Sequence, residues 1–280
     1  MNSCKKHYLT GLSVFFELIV EWGRLSDNKF QHYFDVVTVL AQKDFKIRYR
    51  NSALGFLWSL LNPLANMVIL TLVFSVLLRN NIPNFAAWLL LAILVWRFFS
   101  IATNQSLDSI VGNPSLVNKV HFPRYLIVLA NNLGNLLGAS LEFIALLPLI
   151  ILLGINLAPI ILLFPMVLAL EFVLVFGLSL SLSSLNLKYR DFHQIWDIAL
   201  QLGFFLSPIV YDTSLIPTRY GFLYSLNPVT RLIEFMRDLF LRSRLPLLSD
   251  VIKLLSGILI FLALGFLIFR HYEARFAEEL

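Results

Sequence analysis

Residues 125–153 read YLIVLANNLGNLLGASLEFIALLPLIILL, residues 154–158 read GINLA, and residues 159–185 read PIILLFPMVLALEFVLVFGLSLSLSSL. Each flanking stretch exceeds the about 20 mostly apolar residues with which an α-helix crosses a hydrocarbon core roughly 30 Å thick. The linker between them has space only for a turn, so the two stretches form an antiparallel hairpin through a bilayer. The rest of the chain agrees: hydrophobic residues make up 58% of its 280 positions, charged residues 14%, and mean hydropathy is +0.78. A soluble domain cannot bury that much apolar surface.

Working outward, spans are expected at 55–78, 86–103, 125–153, 159–185, 195–211 and 251–269, giving an all-α integral membrane protein with six transmembrane helices. Pro63, Pro148, Pro165 and Pro208 fall inside them, which neighbouring helices can accommodate. With this threading, fourteen lysines and arginines lie on the side of the termini and six on the other, with Arg97 and Lys253 inside spans. That bias predicts that both termini are cytoplasmic. The net charge of +5 therefore points to anionic lipid headgroups and not to nucleic acid. Cys4 is the single cysteine, so no intrachain disulfide is possible. Residues 1–30 read as an N-terminal extension without a signal-peptide pattern, since Thr10, Ser13 and Glu17 interrupt the first apolar run.

Three segments are more than simple connections. Residues 31–52 carry Phe34, Val37, Leu40, Ala41 and Asp44 at helical spacing, with Lys43, Lys46, Arg48 and Arg50 crowded near the end. This suits an amphipathic helix lying in the cytoplasmic interface, apolar face down. A solvated helix leading into the first span is the plainer alternative, less favoured because the bilayer begins a few residues later.

The intracellular connection 105–124 contains Asn113-Pro114, a helix-start pair with Asn as cap and Pro in the first turn. The helix it opens, 114–120, stops before Phe122-Pro123. It fits a docking element for a soluble partner and an ordinary connector equally well.

Between Asp212 and Asp250 the chain is too apolar for a disordered loop. Segments 214–218 and 228–241, the second opened by Asn227-Pro228, are expected as short helices re-entering the outer leaflet with arginines at the water boundary.

Glu142 and Glu171 stand 14 and 15 residues from Asn156 at the hairpin turn, so at about 1.5 Å per residue they share a depth. An ionised group there costs about 2.5–3.5 kcal/mol, which predicts that each faces protein or a polar path, or is protonated, and that Arg97 is a possible partner. The trio either lines a conduit or forms a structural network with Arg97 snorkelling; the second is slightly favoured. The chain also holds 25 Phe, 9 Tyr and 5 Trp. Trp58, Trp88 and Tyr211 suit interfacial belts. Trp96, Phe98, Phe99, Phe204 and Phe205, with Tyr211, are candidates to line a passage, because the C–H faces of sugars stack on aromatic rings; lipid contact and packing compete with that role.

No GxxxxGK[ST] loop, HExxH or CxxC occurs, and His7, His32, His121, His193 and His271 are scattered. Neither a cofactor nor a catalytic set is expected in this chain.

Residues 42–58 (QKDFKIRYRNSALGFLW) followed by Asn62-Pro63-Leu64 resemble the entry to the first span of ABC-2 permeases, in particular those exporting lipid-linked O-antigen, capsule or teichoic acid. Val120-His121-Phe122-Pro123-Arg124, Asn186-Leu187-Lys188-Tyr189-Arg190-Asp191, Ser207-Pro208-Ile209-Val210-Tyr211, Leu226-Asn227-Pro228 and the tail 272–280 continue the resemblance in order, covering about 31–280 as one domain. It implies a homodimer resting on two copies of a separate ATPase that holds ATP and Mg. Asn113, Pro114, Ser115, Leu116, Val117, Asn118, Lys119 and His121 would be the coupling helix docked in that ATPase. Lys43, Lys46, Arg48 and Arg50 would anchor the interface helix, and Pro228, Arg231, Phe235 and Phe240 would belong to an external gate. Two alternatives remain open: an ABC-2 exporter of drugs or small lipids, and a membrane-embedded glycosyl- or phosphoglycosyl-transferase. The transferase should carry a carboxylate- or His-bearing cytoplasmic loop, where 105–124 offers only Asp108 and His121.

Overall fold

The computed structural model describes residues 28–49, 55–77, 82–119, 122–155, 162–221, 224, 227–273 and 276. The calls on residues 1–27, Arg50 and His121 lie outside them. The described residues are helical, with no strand among them. The order is α1 (Asn28–Tyr49), α2 (Leu57–Thr71, continued by a π-helical turn Leu72–Leu77), α3 (Phe85–Leu107), α4 (Pro114–Lys119), α5 (Tyr125–Leu152), α6 (Phe164–Lys188), α7 (Phe192–Leu206), α8 (Pro228–Phe240) and α9 (Leu248–Glu273). Two 3-10 turns, Thr213–Leu215 and Thr218–Tyr220, lead toward α8.

Five of these elements are long and apolar enough to cross a membrane: Leu57–Ser75, α3, α5, α6 and α9. Within the expected span 195–211 the helix is α7, whose 15 residues reach about 22 Å. Its last turn gives way at Ser207-Pro208, because Ser207 is extended (ψ 146°) and proline disfavours helical geometry in the residue before it. In the fourth span α6 starts at Phe164, with Pro165 placed in its first turn.

Burial separates the helices by role. α3 is apolar around its circumference and sits in the middle of the bundle, as a helix without a polar face must. α2 and α9 bury only a stripe each and turn Trp58, Val68, Ile69, Ile252, Leu259 and Leu267 outward, a surface suited to lipid. α6 and α9 cross so closely that a Cβ on Gly265 would stand 1.9 Å from the Gly177 carbonyl oxygen. Only two glycines permit that approach.

There are two apolar cores. One joins α3, α5, α6 and α8 around Trp88, Phe98, Phe143, Leu232 and Phe240. The other gathers Val37, Leu40 and Ala41 of α1 with Val117 of α4, Leu126 and Ile127 of α5, and Phe269 and Phe276. The interface helix is thus a helix as expected, and its apolar face is taken up by the start of α5.

Between the cores lies a buried polar layer that the sequence reading missed. Asn132 Nδ2 donates to Val128 O at 2.9 Å, while its Oδ1 accepts from Ser106 Oγ at 3.4 Å and Ser179 Oγ at 3.3 Å, tying α3, α5 and α6. The signal was available: an Asn pair and a run of serines within apolar spans is the pattern by which membrane helices bond across to one another.

Candidate functional site

Three groups of residues stand out along the bundle. At the α1–α4 end, the chain turns after α3 and starts α4 at Asn113-Pro114. The backbone N–H groups of Leu116 and Val117 donate to Asn113 O at 3.1 and 3.3 Å. Asn113 Oδ1 accepts from Lys43 Nζ at 3.0 Å, and Asn113 Nδ2 donates to Ser109 O at 2.8 Å, so this side chain pins α4 to α1 and to the end of α3. Val117 is buried in the second of the two apolar cores and Leu116 packs against it. Ser115, Asn118 and Lys119 lie on α4, and Arg48 lies on α1. Lys46 is exposed. A six-residue helix held from beneath by an apolar anchor, and from the side by a lysine, is a rigid projection.

At mid-depth, Arg97 Nε lies 2.7 Å from Glu142 Oε1. The snorkelling alternative for Arg97 is thereby set aside: a carboxylate one helix away offers the guanidinium a nearer partner. Glu142 and Glu171 share one cavity of about 20 Å³ with Val95, Phe98, Phe164 and Met236, as their equal depth predicted. That volume admits one water molecule. Glu171 is 1% exposed, and its Oε1 has no hydrogen-bond partner among the described residues.

The candidate aromatic lining does not form one exposed row. Trp96 packs on Phe99 and Phe204 with ring centroids 5.5 and 6.0 Å apart, and Phe99 meets Trp196 at 6.5 Å. Phe98 and Phe99 are buried, whereas Phe205 is 67% exposed on the same face of α7 as Ile195, Ile198 and Leu202. Tyr211 shares a hydroxyl contact of 3.0 Å with Tyr224 and donates to Phe205 O at 3.0 Å. Trp88 departs from the belt expectation. It is buried beneath Arg237, whose guanidinium carbon lies 3.2 Å from the Trp88 ring centroid.

At the end opposite α4, α8 begins as predicted, with Asn227 Oδ1 capping Val229 N at 3.0 Å and Pro228 in the first turn. The expected helix 214–218 resolves into two 3-10 turns around Pro217, the first capped by Asp212 Oδ1 on Ser214 N at 2.8 Å. Pro228, Phe235 and Phe240 are all buried, and Phe240 sits edge-on to Phe143 and Phe164 at 5.3 and 6.2 Å. The arginines do not all reach the water boundary. Arg237 is 0% exposed and donates to Glu234 Oε1 at 2.8 Å and Ile209 O at 3.3 Å. Burial lowers its pKa to about 10, opposed by Glu234, so it stays charged at neutral pH.

Around it, Arg242 bridges Glu234 (3.0 Å) and Asp238 (2.7 Å), Arg244 reaches Asp238 (2.9 Å), and Arg231 pairs with Asp250 (2.6 Å). Sequence reasoning named only Arg231 of these arginines as a site residue. The i, i+3 and i, i+4 spacing of Glu234, Arg237, Asp238 and Arg242 was the available sign.

Five helices long and apolar enough to cross a bilayer make this a multi-pass membrane protein. The chain belongs to the ABC-2 type transporter family, whose model matches residues 35–241. It is 31% identical over 254 residues to the O-antigen export system permease protein RfbA of Klebsiella pneumoniae, covering 89% of this chain and 96% of that protein. The RfbA of Myxococcus xanthus is also 31% identical, over 257 residues, with the same coverage. The polysialic acid transport protein KpsM of Escherichia coli is 23% identical over 209 residues, covering 72% of this chain and 80% of its own.

Proposed function

We propose that this chain is the permease subunit of an ABC exporter that carries a lipid-linked surface polysaccharide, of the O-antigen kind, across the bacterial inner membrane. The observation that carries this is likeness to O-antigen export permeases over nearly the whole length, 89% of this chain. Two chains would form the passage, and each would rest on one copy of a separate ATPase that supplies ATP and Mg. α4 is the docking element, because it is the rigid projection on the side to which the lysine and arginine bias assigns the cytoplasm. The outward face of α7, with Phe205, suits the wall that the two chains share. Residues Ser207–Tyr211 would complete the sixth crossing that α7 begins, since Ser207, Ile209 and Val210 stay buried beyond its end. α8 and the turns before it are the external gate.

Deleting the gene and extracting lipid-linked glycan tests this. Polymer should accumulate inside and clear when the gene is restored. Unchanged surface polymer in the deletion strain overturns the proposal.

A further inference from the structure

The end of the bundle opposite α4 holds a cavity of about 350 Å³, lined by Thr230, Arg231, Glu234 and Asp238 of α8, Arg242 and Arg244 beyond it, Asp250 of α9, and Tyr224. Its size falls at the low end of the about 300–1,000 Å³ typical of small-ligand sites. Two of its polar groups are unsatisfied. Thr230 is 4% exposed, and its hydroxyl has no hydrogen-bond partner among the described residues; the Arg231 Nε–H is buried and likewise unpaired. Buried polar atoms are almost always paired, so two orphans on one cavity wall point to a ligand that supplies the missing partners.

The charge pattern narrows the class of that ligand. Three arginines and three carboxylates face the cavity, and each arginine already has a carboxylate within 3.0 Å. An anion would have to displace those carboxylates to gain a guanidinium. A neutral polyol does not: its hydroxyls donate to the spare carboxylate lone pairs and accept from the Thr230 hydroxyl and the Arg231 Nε–H. The cavity offers donors and acceptors side by side with no net charge, and Tyr224 stands at its wall.

We infer that this cavity is a binding subsite for a single neutral sugar residue of the exported chain, placed at the outer end and built largely on α8. This rests on the export proposal for its cargo, but its chemistry is independent of that proposal. A subsite there would hold the emerging glycan against backsliding while the inner end resets.

The test uses the full chain with its ATPase partner in lipid nanodiscs and ligand-observed NMR. The probes are the methyl glycosides of glucose, galactose, mannose, rhamnose and N-acetylglucosamine, with inorganic phosphate as a separate arm. At least one glycoside should bind saturably, and Thr230→Val should weaken it about tenfold, the loss of roughly one hydrogen bond to a polar wall. Thr230→Val removes a hydroxyl that bonds to nothing among the described residues, so folding should be unharmed. Arg231→Lys keeps the charge beside Asp250 but removes the Nε–H, and should weaken binding as well. Binding of phosphate without any glycoside, binding of neither, or glycoside binding indifferent to both variants overturns the inference. Glycan accumulation in the deletion strain is read separately. If it occurs while no glycoside binds, the subsite fails and the export proposal stands; if it does not occur, the export proposal fails whatever the cavity binds.

Discussion

Removing Arg97 alone should harm this protein more than removing Arg97 and Glu142 together. The two groups lie 2.7 Å apart in the first apolar core, with side chains 19% and 8% exposed. Arg97→Leu leaves Glu142 in a cavity of about 20 Å³ beside the carboxylate of Glu171, whose Oε1 has no hydrogen-bond partner among the described residues. Breaking a buried pair from one side typically costs about 3–5 kcal/mol. Insertion scales put an uncompensated charge at about 2.5–3.5 kcal/mol, so about 3 kcal/mol is the working figure. In Arg97→Leu/Glu142→Leu the stranded charge disappears and an apolar pair of similar volume takes its place, which is often neutral or better. The assay is reversible unfolding in mixed micelles for the parent, both singles and the double, analysed as a cycle. A coupling energy near 3 kcal/mol, with export retained by the double variant, makes the pair a structural strut. Single variants as stable as the parent would refute the argument, and a stable double variant unable to export would move the pair into the transport path.

Three further outcomes are expected. Gly265→Ala places a Cβ 1.9 Å from the Gly177 oxygen where real contacts stop near 3.0 Å, so α6 and α9 must part by about 1 Å. That should cost at least the about 1–3 kcal/mol of overpacking, against little change for Gly257→Ala, whose Cβ meets only Pro228 at 3.6 Å; equal folded yields of the two variants would refute it. Lys43→Met removes the bond to Asn113 at an exposed position and should shift stability by no more than about 0.5 kcal/mol. Export per ATP hydrolysed should fall all the same, and an unchanged ratio would separate α1 from coupling. Burial raises the Asp212 pKa, but the Ser214 hydrogen bonds and the charges of Arg242 and Arg237 outweigh it and hold it below the usual range. A depressed carboxylate adds stability above its unfolded pKa near 3.9 and loses it as pH falls through the folded value. The thermal-midpoint gap between the parent and Asp212→Asn should therefore hold from pH 7 to about 5 and close only below about 4; closure by pH 6 would contradict the shift.

How much of this was legible in the sequence depends on which surface each residue had to satisfy. Spans such as 125–153 were readable because the bilayer imposes one length and one polarity on any helix that crosses it. Asn227-Pro228 marked the start of α8 because capping is local chemistry. The depth match of Glu142 and Glu171 followed from helical rise alone.

What the sequence could not yield was set by third partners. Trp88 looks like a belt residue until Arg237, some 150 positions later, lands on its ring. The arginines of 212–250 look solvent-bound until the fold buries Arg237 beside Glu234 and brings carboxylates to Arg231, Arg242 and Arg244. Within the span expected at 195–211 the helix ends early, at Ser207-Pro208, because hydropathy summed over a window does not register a backbone break.

The three groups of residues are joined by one element that cannot compress. α5 runs 28 residues, about 42 Å, with its hydrogen-bond ladder open to weakening only near Pro148. Its first turns share the second apolar core with Val117 of α4 and with α1, which approaches so closely at Gly134 that a Cβ there would stand 3.2 Å from Ala41 O. On the same helix, Asn132 bonds to α3 and α6, Glu142 pairs with Arg97, and Phe143 stacks on Phe164 at 3.6 Å and meets Phe240 of α8. Every one of these contacts lies before Pro148, within the stiff part of the helix. A force applied at α4 therefore either moves α5 as a body or breaks the α1 packing at Gly134. If α5 moves, Phe143 carries the displacement to Phe240, at the end of the helix whose other end bears Thr230 and Arg231. The cavity at Thr230 and Arg231 is thus built on an element that a displacement starting at α4 would reach through a single rod.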